Sequence, residues 1–186
     1  LVDSEGNCYS INNFIERLRD GTRFVLLGDY GAGKSATLRE IYLHLERKFR
    51  DKEVTHFPVF LNLRDHHGQT DPVEALERHA RKIGFAEPSG LVRAWRAGMM
   101  ILLLDGFDEF ATAGWAGKTK TLSNLRYRSM ELLRSFVRDT PDDVGIVLSG
   151  REHFFDSARE RRTCLGISRD YIELNLSEFT DEQVQS

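Results

Sequence analysis

Eight consecutive residues, Gly28-Asp29-Tyr30-Gly31-Ala32-Gly33-Lys34-Ser35, constrain this chain more than any other stretch. They follow an apolar segment, Arg23 to Leu27, that reads as a strand. They precede Lys34 to about Phe49, where Leu38, Ile41, Leu45 and Phe49 recur at helical spacing. A glycine-rich turn between strand and helix has a specific physical use. With no Cβ at Gly28, Gly31 and Gly33, backbone N–H groups can close around an anion, and the N-terminus of the following helix adds its unpaired N–H groups and its dipole. The spacing G-x-x-x-x-G-K-S therefore predicts a nucleotide phosphate loop running from Gly28 to Ala36. In it, Lys34 reaches the β and γ phosphates and Ser35 offers its hydroxyl to Mg²⁺.

The most apolar run, Met99-Met100-Ile101-Leu102-Leu103-Leu104, suits a strand buried on both faces, and Asp105-Gly106-Phe107-Asp108-Glu109 follows it directly. A carboxylate at the end of such a strand, beside a phosphate loop, can hold Mg²⁺, the role expected of Asp105. Asp108 or Glu109 can then polarise an attacking water. Ser149-Gly150-Arg151 follows a further strand, Val144 to Leu148, which would bring Arg151 to the same edge as a γ-phosphate sensor.

Helical segments are expected over Ser10 to Arg19, Pro72 to Ile83, Gly90 to Ala97 and Leu122 to Val137, with further strands at Phe57 to Leu63 and Asp170 to Leu176. Gly84 and Gly98 serve as stops. This alternation predicts a three-layer α/β domain. Its five-stranded, mainly parallel sheet carries helices on both faces, with phosphate chemistry at the carboxyl ends of the strands. Asp3-Ser4-Glu5-Gly6-Asn7 reads as a turn linking two short strands. The chain divides into a lead-in, residues 1–21, packed on a nucleotide-binding domain, residues 22–186.

Composition narrows the function classes. With 26 Lys plus Arg against 29 Asp plus Glu, the formal charge is -3, so no global field favours nucleic acid or an anionic membrane. Cys8 and Cys164 belong to no metal-ligand pattern and read as reduced thiols of a cytoplasmic protein. The longest apolar run is too short to cross a bilayer. The sequence opens on Leu1, and Thr180 to Val184 reads as a capped helix start just before Ser186, so a piece of a longer protein is expected.

The phosphate loop, the D-G-F-D-E ending of Leu102 to Glu109, the strand Phe57 to Leu63 followed by Arg64, and Leu174-x-Leu176-x-x-Phe179-Thr180-x-Glu182 together resemble the NACHT domain of the STAND signalling ATPases. The resemblance spans about Thr22 to Ser186. It implies a P-loop NTPase fold of the ASCE/AAA+-like kind and a switch driven by ATP and ADP with Mg²⁺. In that scheme ADP holds a closed monomer, and exchange for ATP drives self-association of the full-length protein, with slow hydrolysis. Effector and sensor domains, and a winged-helix segment, would lie outside this fragment. Carried onto this chain, the resemblance gives Lys34 and Ser35 the phosphate and Mg²⁺ roles, Asp105 the metal carboxylate, Asp108 and Glu109 the catalytic acidic pair, and Arg151 the sensor. The family usually has Thr-Ser-Arg-Pro where this chain has Ser149-Gly150-Arg151-Glu152.

The implied role is a nucleotide-dependent conformational and oligomerisation switch in a signalling or immune-type protein, antiviral defence included. The alternatives are a ring-forming AAA+-like ATPase that remodels or loads nucleic acid, and a scaffold that binds nucleotide without cycling. The absence of a guanine-reading N-K-x-D stretch supports ATP over GTP, and the base is expected against a segment ahead of the phosphate loop, Val2 to Ile11. His66 and His67 read as solvated loop histidines. Arg126, Arg128, Arg134 and Arg138 read as a solvated face of one helix, with a surface for oligomers or nucleic acid, shared with Arg159, Arg161 and Arg162, as the alternative. Ala111 to Thr121 reads as a connecting loop whose Trp115 can seek a partner surface.

Overall fold

A computed structural model describes residues 1–3, 6–112 and 122–176. Within these residues six strands form one sheet: β1 (Val2–Asp3), β2 (Phe24–Leu27), β3 (Phe57–Asn62), β4 (Met100–Asp105), β5 (Ile146–Gly150) and β6 (Ile172–Asn175), in the order β1-β6-β2-β5-β4-β3. All neighbours run parallel except β1, which pairs antiparallel with β6. The expected three-layer parallel architecture is therefore present, with one strand more than the five expected. The addition is β1, two residues long, which pairs through Val2↔Asn175 and Asp3↔Leu174.

Among the described residues, eight α-helices accompany the sheet: α1 (Ile11–Arg19), α2 (Lys34–Arg50), α3 (Pro72–Lys82), α4 (Pro88–Arg96), α5 (Phe107–Thr112), α6 (Leu122–Ser129), α7 (Glu131–Asp139) and α8 (Ala158–Leu165). The period-2 geometry of a strand sends alternate side chains to opposite faces. In β4, Met100, Leu102 and Leu104 enter a core with Trp95, Phe136 and Leu165, while Ile101 and Leu103 enter a second core with Phe14, Leu38 and Ile41. Both faces are thus covered, α1 and α2 lying on one and α3, α4, α7 and α8 on the other. That is why β4 reads as an unbroken apolar run.

The register places the strand ends together. Leu27 pairs with Gly150 and Asn62 with Asp105, so the residues that follow β2, β4 and β5 emerge at one edge. Gly33, in the left-handed region at φ 82°, starts α2 without a side-chain cap, leaving the first-turn N–H groups of α2 without that partner.

Three expectations are overturned. The single helix Leu122 to Val137 is two helices broken at Met130, whose backbone (φ -90°, ψ 12°) leaves helical geometry while its side chain is buried in the core. His66 is not solvated: it lies in a 3-10 turn, Leu63–His66, 3% exposed, with Nδ1 2.8 Å from Gln69 Oε1, whereas His67 is exposed. The arginine face dissolves as well. Arg126 and Arg161 are buried and Arg134 nearly so, each paired inside the fold, while Arg128, Arg138, Arg159 and Arg162 are exposed. Glu173 of β6 takes Arg161 at 2.5 Å. The segment around Trp115 and the Phe179-Thr180-x-Glu182 ending lie outside the described residues.

Two elements escaped the sequence reading. α8 carried a legible signal, Ser157 and Glu160 at capping-box spacing, and Ser157 Oγ accepts from Glu160 N at 3.1 Å. α5 had a weaker one, since Asp108 and Glu109 begin a helix of only six residues.

Candidate nucleotide site

A cleft of about 260 Å³ opens where the residues after β2, β4 and β5 meet, lined by Tyr30 to Ala36 apart from Ala32, by Asp105, Gly106, Asp108 and Glu109, and by Arg151. Residues far apart in sequence that were singled out as phosphate, metal, catalytic and sensor candidates thus border one space. Among the loop candidates, Gly28, Asp29 and Ala32 do not line it; Ala32 is buried and Asp29 borders the neighbouring cavity. A Cβ on Gly28 would lie 3.2 Å from that of Ala32 and 3.4 Å from the backbone oxygen of Leu176, so the start of the loop packs closely against its own Ala32 and the residue after β6. Gly31 and Gly33 both adopt positive φ, which turns successive N–H groups toward one side.

Lys34 Nζ donates to the carbonyls of Gly28 at 2.6 Å and Asp29 at 2.8 Å, which anchors the ammonium over the loop. Burial lowers its pKa, and the nearby Asp108 carboxylate opposes that shift. An arriving phosphate would add counter-charge to this half-buried cation.

Asp105 ends β4 with 6% exposure, and the hydroxyl of Ser149 on β5 donates to its Oδ1. Ser149 Oγ in turn accepts from Gly106 N at 3.2 Å. The carboxylate is therefore oriented by a neighbouring strand, its Oδ1 engaged and its residue lining the same cleft as Ser35. Among the described residues no group of three or more His, Cys, Asp and Glu side chains could hold a metal ion. Mg²⁺ takes one or two protein oxygens and completes its shell with water and phosphate oxygens. Ser35 and Asp105 fit such a donor set.

Asp108 and Glu109 diverge. Asp108, 5% exposed, receives Arg151 through both oxygens, Oδ2 at 2.8 Å from Nε and Oδ1 at 3.2 Å from the backbone N. Burial raises its carboxyl pKa, and the Arg151 charge works against the rise. Glu109 lines the cleft and pairs with Arg64 at 2.5 Å. Arg151 also lies 5.4 Å from the centre of the exposed Tyr30 ring, so the sensor candidate bridges the acidic run and the phosphate loop. His153, two residues on, approaches Asp29 at 3.7 Å.

Sequence reasoning gave no role to Ser149, the hydrogen-bond donor that orients Asp105. A hydroxyl directly before Gly150-Arg151 was the available signal, and only strand register shows that it faces Asp105. Arg64 was legible as part of a motif, yet its pairing with Glu109 depends on β3 lying beside β4.

The family model of the NACHT domain matches residues 22–186. No curated protein matches the chain. Among solved structures, the Orc1 protein of Aeropyrum pernix in complex with DNA is similar, with a TM-score of 0.54 and 18% identity over 94% of this chain and 46% of that one. This chain therefore spans about half the length of that protein, and at this identity the likeness concerns the fold.

Proposed function

Given that this chain belongs to the NACHT family of P-loop NTPase domains, we propose that it binds ATP and ADP with Mg²⁺ and acts as a nucleotide-dependent switch. The observation that carries this reading is the shared cleft, in which Lys34, Ser35, Asp105, Glu109 and Arg151 border one space of nucleotide-phosphate size. Bound Mg²⁺ would neutralise charge on the phosphate oxygens and draw them toward Ser35 and Asp105.

The residues of the chain then divide the work. The N–H groups of Gly31 to Ala36 and the Lys34 ammonium bind and orient the β and γ phosphates. Ser149 keeps Asp105 turned toward the metal position. Glu109 accepts the proton of a water aligned with the γ-phosphate, once that carboxylate leaves or shares Arg64. Asp108, the other member of the acidic pair, holds Arg151 at the end of the triphosphate, so loss of the γ-phosphate changes what Arg151 touches. Hydrolysis is slow in this reading, and self-association follows ATP binding in a larger cytoplasmic signalling or immune-type protein. Residues 1–21 form the lead-in, and effector and sensor partners act through other parts of that protein.

The likeness to a DNA-bound protein gives a second reading, an ATPase that handles nucleic acid. Three of the arginines considered for such a surface, Arg126, Arg134 and Arg161, are engaged in internal ion pairs, which leaves Arg128, Arg138, Arg159 and Arg162 exposed for it. Titration of ADP and ATP with Mg²⁺ against the wild type and Lys34→Ala tests binding, and light scattering of the full-length protein with either nucleotide tests the switch. Binding lost in the variant, and a mass that grows with ATP alone, are expected. Turnover stimulated by DNA, with mass unchanged, would favour the second reading.

A further inference from the structure

Arg126 stands on α6 but engages the loop that follows β5. Its Nη1 lies 2.8 Å from Asp156 Oδ2 and 3.0 Å from Glu160 Oε2, and its guanidinium is 5.7 Å from the centre of the Phe154 ring. Glu160 Oε2 also accepts from the backbone N of Asp156 at 2.8 Å, which ties the loop's main chain into the same ion group. Phe154 in turn leans on Phe107, between Asp105 and Asp108. This loop begins with Arg151, and Arg126 lines a cavity of about 360 Å³ together with Arg151, His153, Asp108 and Glu109, which shares walls with the phosphate cleft.

Burying a guanidinium with 11% of its side chain exposed is expensive, and an apolar side chain of similar volume can stabilise a fold as well or better. What an apolar residue cannot do is fix two carboxylates and a backbone amide in one geometry. We infer that Arg126 is a positioning residue for Arg151: by holding Phe154, Asp156 and Glu160 it sets where the loop presents Arg151 to the end of a bound triphosphate. The inference rests on reading the cleft as a nucleotide site.

The test compares affinities of the chain for Mg²⁺-ADP and for Mg²⁺ with the β,γ-imido analogue of ATP. Arg126→Gln is expected to weaken the analogue about fivefold or more while leaving ADP within about twofold, the range of a modest coupling between groups. Arg126→Lys should recover part of the loss. Asp156→Asn removes a carboxylate that is exposed, so it leaves the fold intact, and should shift the ratio the same way by about two- to threefold. Equal losses for both nucleotides, or an unchanged ratio in folded Arg126→Gln, would overturn the inference. So would an Arg126→Gln that fails to fold combined with an unchanged ratio in Asp156→Asn. Wild-type protein that binds neither nucleotide overturns the nucleotide reading itself, and the inference with it.

Discussion

The ring of Phe107 occupies the space that a Cβ at residue 150 would need, so Gly150 and Phe107 form a matched pair across β5 and the start of α5. Phe107 sits between the metal and acidic candidates Asp105 and Asp108, and Gly150 directly precedes Arg151. Glycine at position 150, where the family resemblance leads one to expect serine, thus has a steric reason. Gly150→Ala should cost about 1–3 kcal/mol through overpacking. Phe107→Leu in the same chain should recover part of that cost, as read by urea denaturation midpoints of the two singles and the double.

Lys34→Ala removes the cation from the phosphate loop at a half-buried position. Affinity for ADP should fall about 10- to 100-fold, the range for loss of a charge-assisted hydrogen bond, with the melting temperature little changed in the absence of nucleotide. Calorimetric titration and a thermal melt separate these effects.

Ser149→Ala deprives Asp105 Oδ1 of its donor and Gly106 N of one acceptor, although Gly106 N keeps the Ser149 carbonyl at 3.1 Å. The expected cost is about 1–2 kcal/mol of stability. The Mg²⁺ concentration needed for half-maximal ATP binding should also rise, measured by titrating the metal at fixed nucleotide.

Glu109→Gln keeps the shape and loses the proton acceptor. Nucleotide affinity should stay near wild type while single-turnover hydrolysis falls by about 10²- to 10⁴-fold. Unchanged hydrolysis would move the water-orienting role elsewhere, with Asp108 the next residue to substitute.

His79 on α3 has its pKa lowered by burial, to about 4. The folded state therefore prefers the neutral ring, and between that value and the unfolded value of about 6.5 the unfolded chain binds more protons. The stabilisation is fully present above pH 6.5 and is lost as pH falls toward 4, by on the order of 2–3 kcal/mol. Urea midpoints at pH 7.5, 5.5 and 4 should trace this fall, and His79→Gln should flatten it.

Much of the fold was legible because its signals are local. The helix after the phosphate loop runs Lys34–Arg50, close to its expected bounds, and buries Leu38, Ile41 and Leu45, three of the four residues read at helical spacing. The apolar strand before Asp105 was displaced by one residue. Errors arose where a distant partner decides. The run from Leu122 to Val137 has no Gly or Pro to mark the break at Met130, whose side chain is buried in the core. Arg134 looks like a surface residue by spacing, yet it donates to Cys164 O at 2.9 Å on α8.

The sequence by itself determined the phosphate loop, the doubly buried β4 and the acidic run behind it. Each depends on residues adjacent along the chain: glycines that permit positive φ, apolar side chains on both faces of one strand, carboxylates at that strand's end. Tertiary structure alone decided that Ser149 orients Asp105, that Arg151 rests on Asp108, that Arg64 holds Glu109 and that Arg126 grips the loop after β5. These pairings join residues more than thirty positions apart in every case except the last, which reaches thirty. Such contacts exist only once strand order and register bring separate strand ends to one edge.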